Sequence, residues 1–122
     1  MKKVLIVEDD KRIADALSYR MMSLGFQVDK AHDAATAPMH ARDSTPDLVL
    51  LDISMPGGNG FIVFDRIRAL PSAQQTPVIF MTADQTPGLK EKAMSLGAAG
   101  FLEKPFGASR LIETVEAVMD PI

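Results

Sequence analysis

The 122-residue sequence predicts an α/β fold: a five-stranded parallel sheet, doubly wound, with helices on both faces. Three observations carry that reading. Five short apolar runs alternate with longer stretches of helical period, the central runs are almost wholly apolar, and glycine and proline punctuate the boundaries. Repeated strand and helix alternation implies right-handed crossovers and parallel strands. Runs such as Leu48-Val49-Leu50-Leu51 and Val78-Ile79-Phe80-Met81 then need cover on both sides, which a doubly wound sheet supplies.

Strand one is predicted at Val4 to Val7. Ile13, Leu17, Met21 and Leu24 recur at helical spacing, and Gly25 suits the left-handed cap that closes this first helix. Strand two follows at Phe26 to Val28. A second helix, from about Asp33 to Arg42, carries Pro38 near its fifth residue and loses a backbone donor there, so a kink or a late start is expected. Strand three is Leu48 to Leu51, and Phe64, Ile67 and Leu70 mark the third helix. Strand four is Val78 to Met81; Thr86 and Pro87 suit the N-cap and first position of a fourth helix, with Gly97 as its C-cap. Strand five runs from Ala98 to Leu102, and Leu111, Ile112, Val115, Val118 and Met119 line the last helix. No linker, low-complexity tract or repeat interrupts this pattern, so residues 1–122 read as one domain.

Composition removes several functions. With no cysteine, disulfides, thiolate zinc sites and cysteine nucleophiles are excluded. Met1-Lys2-Lys3 leads into four apolar residues before Glu8, too few for a signal-peptide core or a membrane span, so a cytoplasmic protein without membrane association is expected. Thirteen basic against sixteen acidic residues give a net charge of −3, and no direct nucleic-acid partner is expected from so weak a basic field.

In a doubly wound sheet, ligands bind beyond the carboxyl ends of the strands. Glu8, Asp9 and Asp10 follow strand one, and Asp52 follows strand three. Any one of them alone is ordinarily a turn former or a helix N-cap. If strands one and three are neighbours, however, two or three carboxylates meet, and like charges about 4 Å apart repel by about 4 kcal/mol at an effective dielectric of about 20. A bound proton or a cation must offset that, and an all-oxygen set with room for water suits Mg²⁺. Strand four ends in Thr82-Ala83-Asp84 and strand five in Glu103-Lys104-Pro105. A carboxylate, a cation site, a hydroxyl and an ammonium on one rim form a phosphoryl-transfer constellation. In it Asp52 attacks phosphorus in line, Glu8 and Asp9 hold Mg²⁺, and Thr82 with Lys104 meets the oxygens of the transferred group.

These residues resemble the receiver domains of two-component response regulators, of which the chemotaxis response regulator is the single-domain type. The matching motifs are Val4-Leu5-Ile6-Val7-Glu8-Asp9-Asp10, Leu50-Leu51-Asp52-Ile53-Ser54-Met55-Pro56-Gly57-Gly58-Asn59-Gly60, Met81-Thr82-Ala83 and Gly100-Phe101-Leu102-Glu103-Lys104-Pro105-Phe106. The resemblance runs essentially end to end. It implies strand order 2-1-3-4-5, the flavodoxin-like receiver fold, and a cis peptide between Lys104 and Pro105. It also implies that Asp52 is the phospho-acceptor, that Glu8 and Asp9 are the acidic pair, and that the Ser54 carbonyl is a further ligand to Mg²⁺. Such a domain catalyses only its own phosphorylation and dephosphorylation. The phosphoryl group would come from a histidine kinase or a histidine phosphotransfer protein, as part of a phosphorelay.

Glu8 stands where the family often has aspartate. By the same resemblance, Ser54 and Asp84 occupy positions that vary in the family and would face the path of the attacking water, which makes them the lifetime-tuning candidates. Gly107 stands where an acidic residue commonly opens the last helix, leaving Ser109 as the expected cap. The resemblance makes Thr82 and Phe101 the switch candidates: Thr82 would move toward the phosphoryl and vacate space for the Phe101 ring. The surface of the fourth helix, fifth strand and fifth helix is then the expected readout face for an unknown output protein or a phosphorylation-dependent dimer.

His32 and His40 lack a spaced companion for a metal and are expected to cap or solvate the second helix. The eight methionines are expected to fill core gaps. Gly57-Gly58-Asn59-Gly60 lacks the lysine and hydroxyl of a phosphate-binding loop and reads as a flexible loop beside Asp52. The end of the sequence soon after the last helix favours a stand-alone signalling protein; the alternative is a receiver fragment of a longer DNA-binding or enzymatic regulator. An aspartate-nucleophile phosphatase is a distant alternative, since Ser54 stands where a second aspartate is needed. A flavin carrier is disfavoured by the acidic loop after strand one.

Overall fold

The computed structural model describes residues 1–56 and 58–119. Among the described residues, seven strands occur in chain order: β1 (Lys3–Val7), β2 (Gln27–Ala31), β3 (Leu48–Asp52), β4 (Ser54–Met55), β5 (Gly58–Asn59), β6 (Val78–Thr82) and β7 (Gly100–Glu103). The helices are α1 (Lys11–Ser23), α2 (Ala37–Ser44), α3 (Gly60–Arg68), α4 (Leu89–Ser95) and α5 (Ala108–Val118), with a 3₁₀ turn at Pro71–Ala73. Five strands make one parallel sheet in the order β2-β1-β3-β6-β7, and β4 pairs antiparallel with β5 in a separate ribbon. The predicted strands four and five are β6 and β7, so the order 2-1-3-4-5 is the one found.

Strand alternation divides the interior into two layers. Leu5, Val7, Val49, Leu51, Val78 and Phe80 face one side and pack on Ala37 and Ala41 of α2, Phe61, Val63, Phe64 and Ile67 of α3, and Ala93 of α4. Val4, Ile6, Leu48, Leu50, Ile79 and Met81 face the other side, against Ala14, Leu17 and Met21 of α1 and Leu111 and Val115 of α5. β3 and β6 are buried throughout and β1 from Val4 onward, as their continuous apolar runs require. Phe80 anchors its layer between the rings of Phe61 and Phe64, with centroids 5.2 and 5.3 Å away.

Local chemistry explains most boundaries and corrects some. Gly25 and Gly97 carry φ values of +94° and +103°, as expected of left-handed caps. The second helix starts late, at Ala37, with Pro38 in its first turn, where a missing N–H costs nothing. Strand β2 extends to Ala31, past the predicted Val28, because an edge strand accepts the polar Asp29 and Lys30 that ended the apolar run. The fourth helix begins at Leu89 after Gly88, and Thr86 instead turns its hydroxyl to Asp84, so the Thr86-Pro87 start is not found. Ser109 lies inside α5 and gives no cap; Gly107 is the N-cap, without a side-chain bond. Part of the glycine run expected to be a flexible loop forms the β4–β5 ribbon, and its Gly57, like the chain end at Ile122, lies outside the described residues. Of the eight methionines, Met21, Met55, Met81 and Met119 are buried as expected, whereas Met1, Met22, Met39 and Met94 are exposed. Among the described residues, no helix is long and apolar enough to cross a membrane.

Thr45 ends α2 in the left-handed region, at φ 45° and ψ 62°. A β-branched residue is strained there, by about 1–2 kcal/mol, and glycine is not, although glycine gives back about 0.5–1 kcal/mol of chain entropy. Thr45→Gly is therefore expected to raise stability by about 0.5–1 kcal/mol. A higher urea midpoint at unchanged slope is the expected reading; an unchanged or lower midpoint contradicts it.

Candidate functional site

Sheet register brings the acidic residues together before any side chain is considered. Val7 of β1 lies beside Leu51 of β3, so the next residues, Glu8 and Asp52, emerge side by side. Asp52 in turn pairs with Met81 of β6, which places Thr82 one step beyond. The Lys104 N–H donates to the Thr82 carbonyl at 2.8 Å, continuing the β6–β7 ladder to the same rim. The Lys104–Pro105 peptide that follows is cis, as the resemblance implies.

Glu8, Asp9 and Asp52 each present one carboxylate oxygen within 4.8 Å of the others. Glu8 and Asp52 are buried and Asp9 is exposed, so the cluster opens to solvent on the Asp9 side. Asp10 does not join it. Its Oδ1 accepts from the Arg12 and Ile13 N–H groups at 2.9 and 3.3 Å and caps α1.

The Lys104 ammonium donates to Glu8 Oε1 and lies 3.3 Å from Asp52 Oδ2. Burial, opposed by the Lys104 hydrogen bond and reinforced by the Asp52 charge, pushes the Glu8 carboxyl up to about 7. Burial alone would lower Lys104, but its hydrogen bond to Glu8 and the charges of Asp52 and Glu8 hold it above the usual lysine range. One ammonium thus faces two buried carboxylates, and the excess negative charge is met by a proton on Glu8 or by a cation. Two like charges 4.8 Å apart repel by about 3.5 kcal/mol at an effective dielectric of about 20, enough to make one of these answers necessary. The all-oxygen donor set, open on one side to water, fits a hard divalent ion such as Mg²⁺.

Thr82 is buried, and its Oγ1 lies 3.1 Å from Ser54 Oγ and accepts from the Asp84 N–H at 2.9 Å. The Ser54 N–H donates to Asp52 Oδ1 at 3.0 Å, so the residue two past Asp52 touches both carboxylate and threonine. Asp84 turns its carboxylate toward its own loop, accepting from the Thr86 N–H and hydroxyl at 2.9 and 2.6 Å, which holds it below the usual range. Phe101 is only 7% exposed and packs in the layer of Phe61 and Phe80 while also lining a cleft with Lys90, Glu103 and Arg110. Glu8, Asp9, Asp52, Ser54, Thr82 and Lys104 therefore meet on one rim, while Asp84 reaches it only through its N–H and Phe101 packs in the apolar layer.

Two contacts had no sequence signal. Gly60 passes so close to the back of the acidic strand that a Cβ there would lie 2.5 Å from the Asp52 carbonyl oxygen. His32 does not cap the second helix: its Nδ1 lies 3.0 Å from the Glu8 carbonyl oxygen. His40 sits within α2 and pairs with Asp29 of β2 at 2.9 Å.

The model of the response regulator receiver domain matches residues 4–116. The chain belongs to that family. This receiver domain is thus a component of two-component signalling, of the phospho-accepting class. It is 36% identical over 119 residues to the transcriptional regulatory protein CpxR of Escherichia coli K12, covering 98% of the chain and 50% of CpxR. The chain spans about half the length of the curated relatives it matches first. Among solved structures, chemotaxis protein CheY4 of Vibrio cholerae superposes with a TM-score of 0.90 at 30% identity, covering 98% of this chain and 99% of that one. The receiver domain of sensor histidine kinase PA1611 from Pseudomonas aeruginosa PAO1, which holds a magnesium ion in its active-site cleft, matches at a TM-score of 0.85 and 26% identity, over 96% of each chain.

The raised Glu8 carboxyl sets a pH dependence. Glu8 binds its proton more tightly in the folded chain, near 7, than at its ordinary 4.5, so the native state holds the extra proton between those values. Stability of the metal-free protein should then fall as pH rises through that window, and Glu8→Gln should flatten the fall. Urea midpoints for both proteins across the window test this; parallel profiles contradict it.

Proposed function

We propose that this receiver domain accepts a phosphoryl group on Asp52 from a phosphohistidine of a histidine kinase or histidine phosphotransfer protein. An Asp52 carboxylate oxygen attacks phosphorus, a P–O bond forms, the P–N bond breaks, and the electron pair returns to the donor imidazole. Lys104 and Thr82 meet the phosphoryl oxygens, the first by charge and the second by its hydroxyl proton. Mg²⁺, held by Glu8, Asp9, Asp52 and the Ser54 carbonyl, would supply neutralisation of the charge on those oxygens. The observation that carries this reading is the convergence of three carboxylates with the Lys104 ammonium on one rim.

Loss of the phosphoryl group follows the same line, with water attacking phosphorus and Asp52 leaving as carboxylate. Ser54 flanks that path, and Asp84 tunes the lifetime with it only by turning its carboxylate out of the bonds to Thr86. The added charge draws Thr82 away from Ser54, Phe101 turns into the space released, and the face of α4, β7 and α5 changes its affinity for an output protein or a second copy. A second reading keeps this chemistry and makes the domain one part of a longer DNA-binding or enzymatic regulator. The half-length match to CpxR favours it, and reading the gene beyond the codon for Ile122 decides it.

Incubation with a small-molecule phosphodonor and Mg²⁺, followed by intact-mass measurement, should show one added phosphoryl group on the wild type and none on Asp52→Asn. Omission of Mg²⁺ should abolish labelling. Full labelling of Asp52→Asn removes the acceptor role, and wild-type labelling without Mg²⁺ removes the metal role.

A further inference from the structure

We infer that His32 is a positioning residue that fixes the peptide joining Glu8 to Asp9, and through it the affinity of the acidic cluster for a divalent cation. The inference rests on the metal reading proposed above and concerns a residue that touches none of the reacting atoms.

Glu8 and Asp9 are adjacent in sequence, and on a regular strand their side chains would point to opposite faces of the sheet. They instead present oxygens within 4.8 Å of each other and of Asp52. The chain must therefore leave strand geometry between them, and it does so immediately after β1 ends at Val7. The orientation of the Glu8–Asp9 peptide plane then governs where both carboxylates go.

That plane is held at its carbonyl from just past the end of β2, where His32 Nδ1 lies 3.0 Å from the Glu8 carbonyl oxygen. The Glu8 N–H, in the peptide before it, donates to the Ala31 carbonyl at 3.0 Å. A carbonyl oxygen only accepts, so Nδ1 carries the hydrogen in this pair, and it does so in both the neutral and the protonated ring. Two successive residues of the β2 segment thus grip the backbone of Glu8 on both sides. Without the second grip, the peptide between the two ligands is free to rotate, and the carboxylates must be ordered again each time a cation binds. Groups that orient ligands in this way typically contribute about 10–100-fold to metal affinity.

Calorimetric titration of the metal-free protein with MgCl₂ tests this, using wild type, His32→Ala and His32→Asn. The asparagine amide nitrogen takes nearly the place of Nδ1 and donates as it does. His32→Ala should bind Mg²⁺ about tenfold more weakly, His32→Asn should recover most of the loss, and the thermal midpoints of the three metal-free proteins should agree closely. In metal-free samples the amide NMR resonances of Asp9 and Asp10 should shift in His32→Ala and return toward wild type in His32→Asn. Wild-type affinity in His32→Ala, or equal losses in the two variants, overturns the positioning role while leaving the metal reading intact. Failure of the wild type itself to bind Mg²⁺ overturns the metal reading and this inference with it.

Discussion

The arrangement of this domain depends on how negative charge is compensated at the carboxyl ends of β1 and β3. Two buried carboxylates, Glu8 and Asp52, share one ammonium, and Asp9 stands at their open side. A buried ion pair whose partners are balanced adds little net stability, and an unbalanced one costs several kcal/mol. Here the imbalance is left in place. It makes the cluster receptive to a cation in a way that a fully paired site is not. The raised Glu8 carboxyl is the same fact seen through protons: the site takes up positive charge where it can.

The sheet makes that imbalance tolerable by rigidity. The strands carrying Glu8, Asp52 and Thr82 are central and buried on both faces, and their register fixes the spacing of the three ends to within a residue. Gly60 adds a constraint from behind, since α3 begins against the Asp52 carbonyl and no side chain fits between them. Carboxylates that would separate in a looser framework are held close, and the cost is met by the packing of the two apolar layers rather than by local pairing.

What was legible in the sequence follows from which residues act through local chemistry. Leu48 to Leu51 and Val78 to Met81 announced buried central strands because nothing else accounts for such runs, and Gly25 and Gly97 announced caps through a backbone freedom that only glycine has. The candidate residues Glu8, Asp52, Thr82 and Lys104 were legible because each lies at or just past the carboxyl end of a strand, and topology then gathers them. The failures share the opposite property. Asp29 and Lys30 hid the true end of β2 because an edge strand is exempt from apolar patterning. Thr86 and Ser109 are good caps by type, yet Asp84 claims the first and α5 begins before the second. His32 was wrongly assigned to the second helix, since its partner is a backbone carbonyl 24 residues away, and a carbonyl has no sequence signature.

The hydroxyl pair at the rim bears on how far a phosphoryl group could drive the proposed switch. Thr82 Oγ1 is engaged at rest by Ser54 Oγ and by the Asp84 N–H. Leaving them gives up two neutral hydrogen bonds, about 0.5–1.5 kcal/mol each, and one charge-assisted bond to a phosphoryl oxygen returns about 1.5–3 kcal/mol. The exchange is therefore close to even. Moving an equilibrium from 1:99 to 99:1 takes about 5.5 kcal/mol, far more than Thr82 alone supplies. The remainder has to come from Lys104, released from Glu8 to the new charge, and from the packing gained by Phe101. A switch with these energetics shifts a population rather than locking one state, and its set point lies in the residues around Thr82 as much as in Asp52.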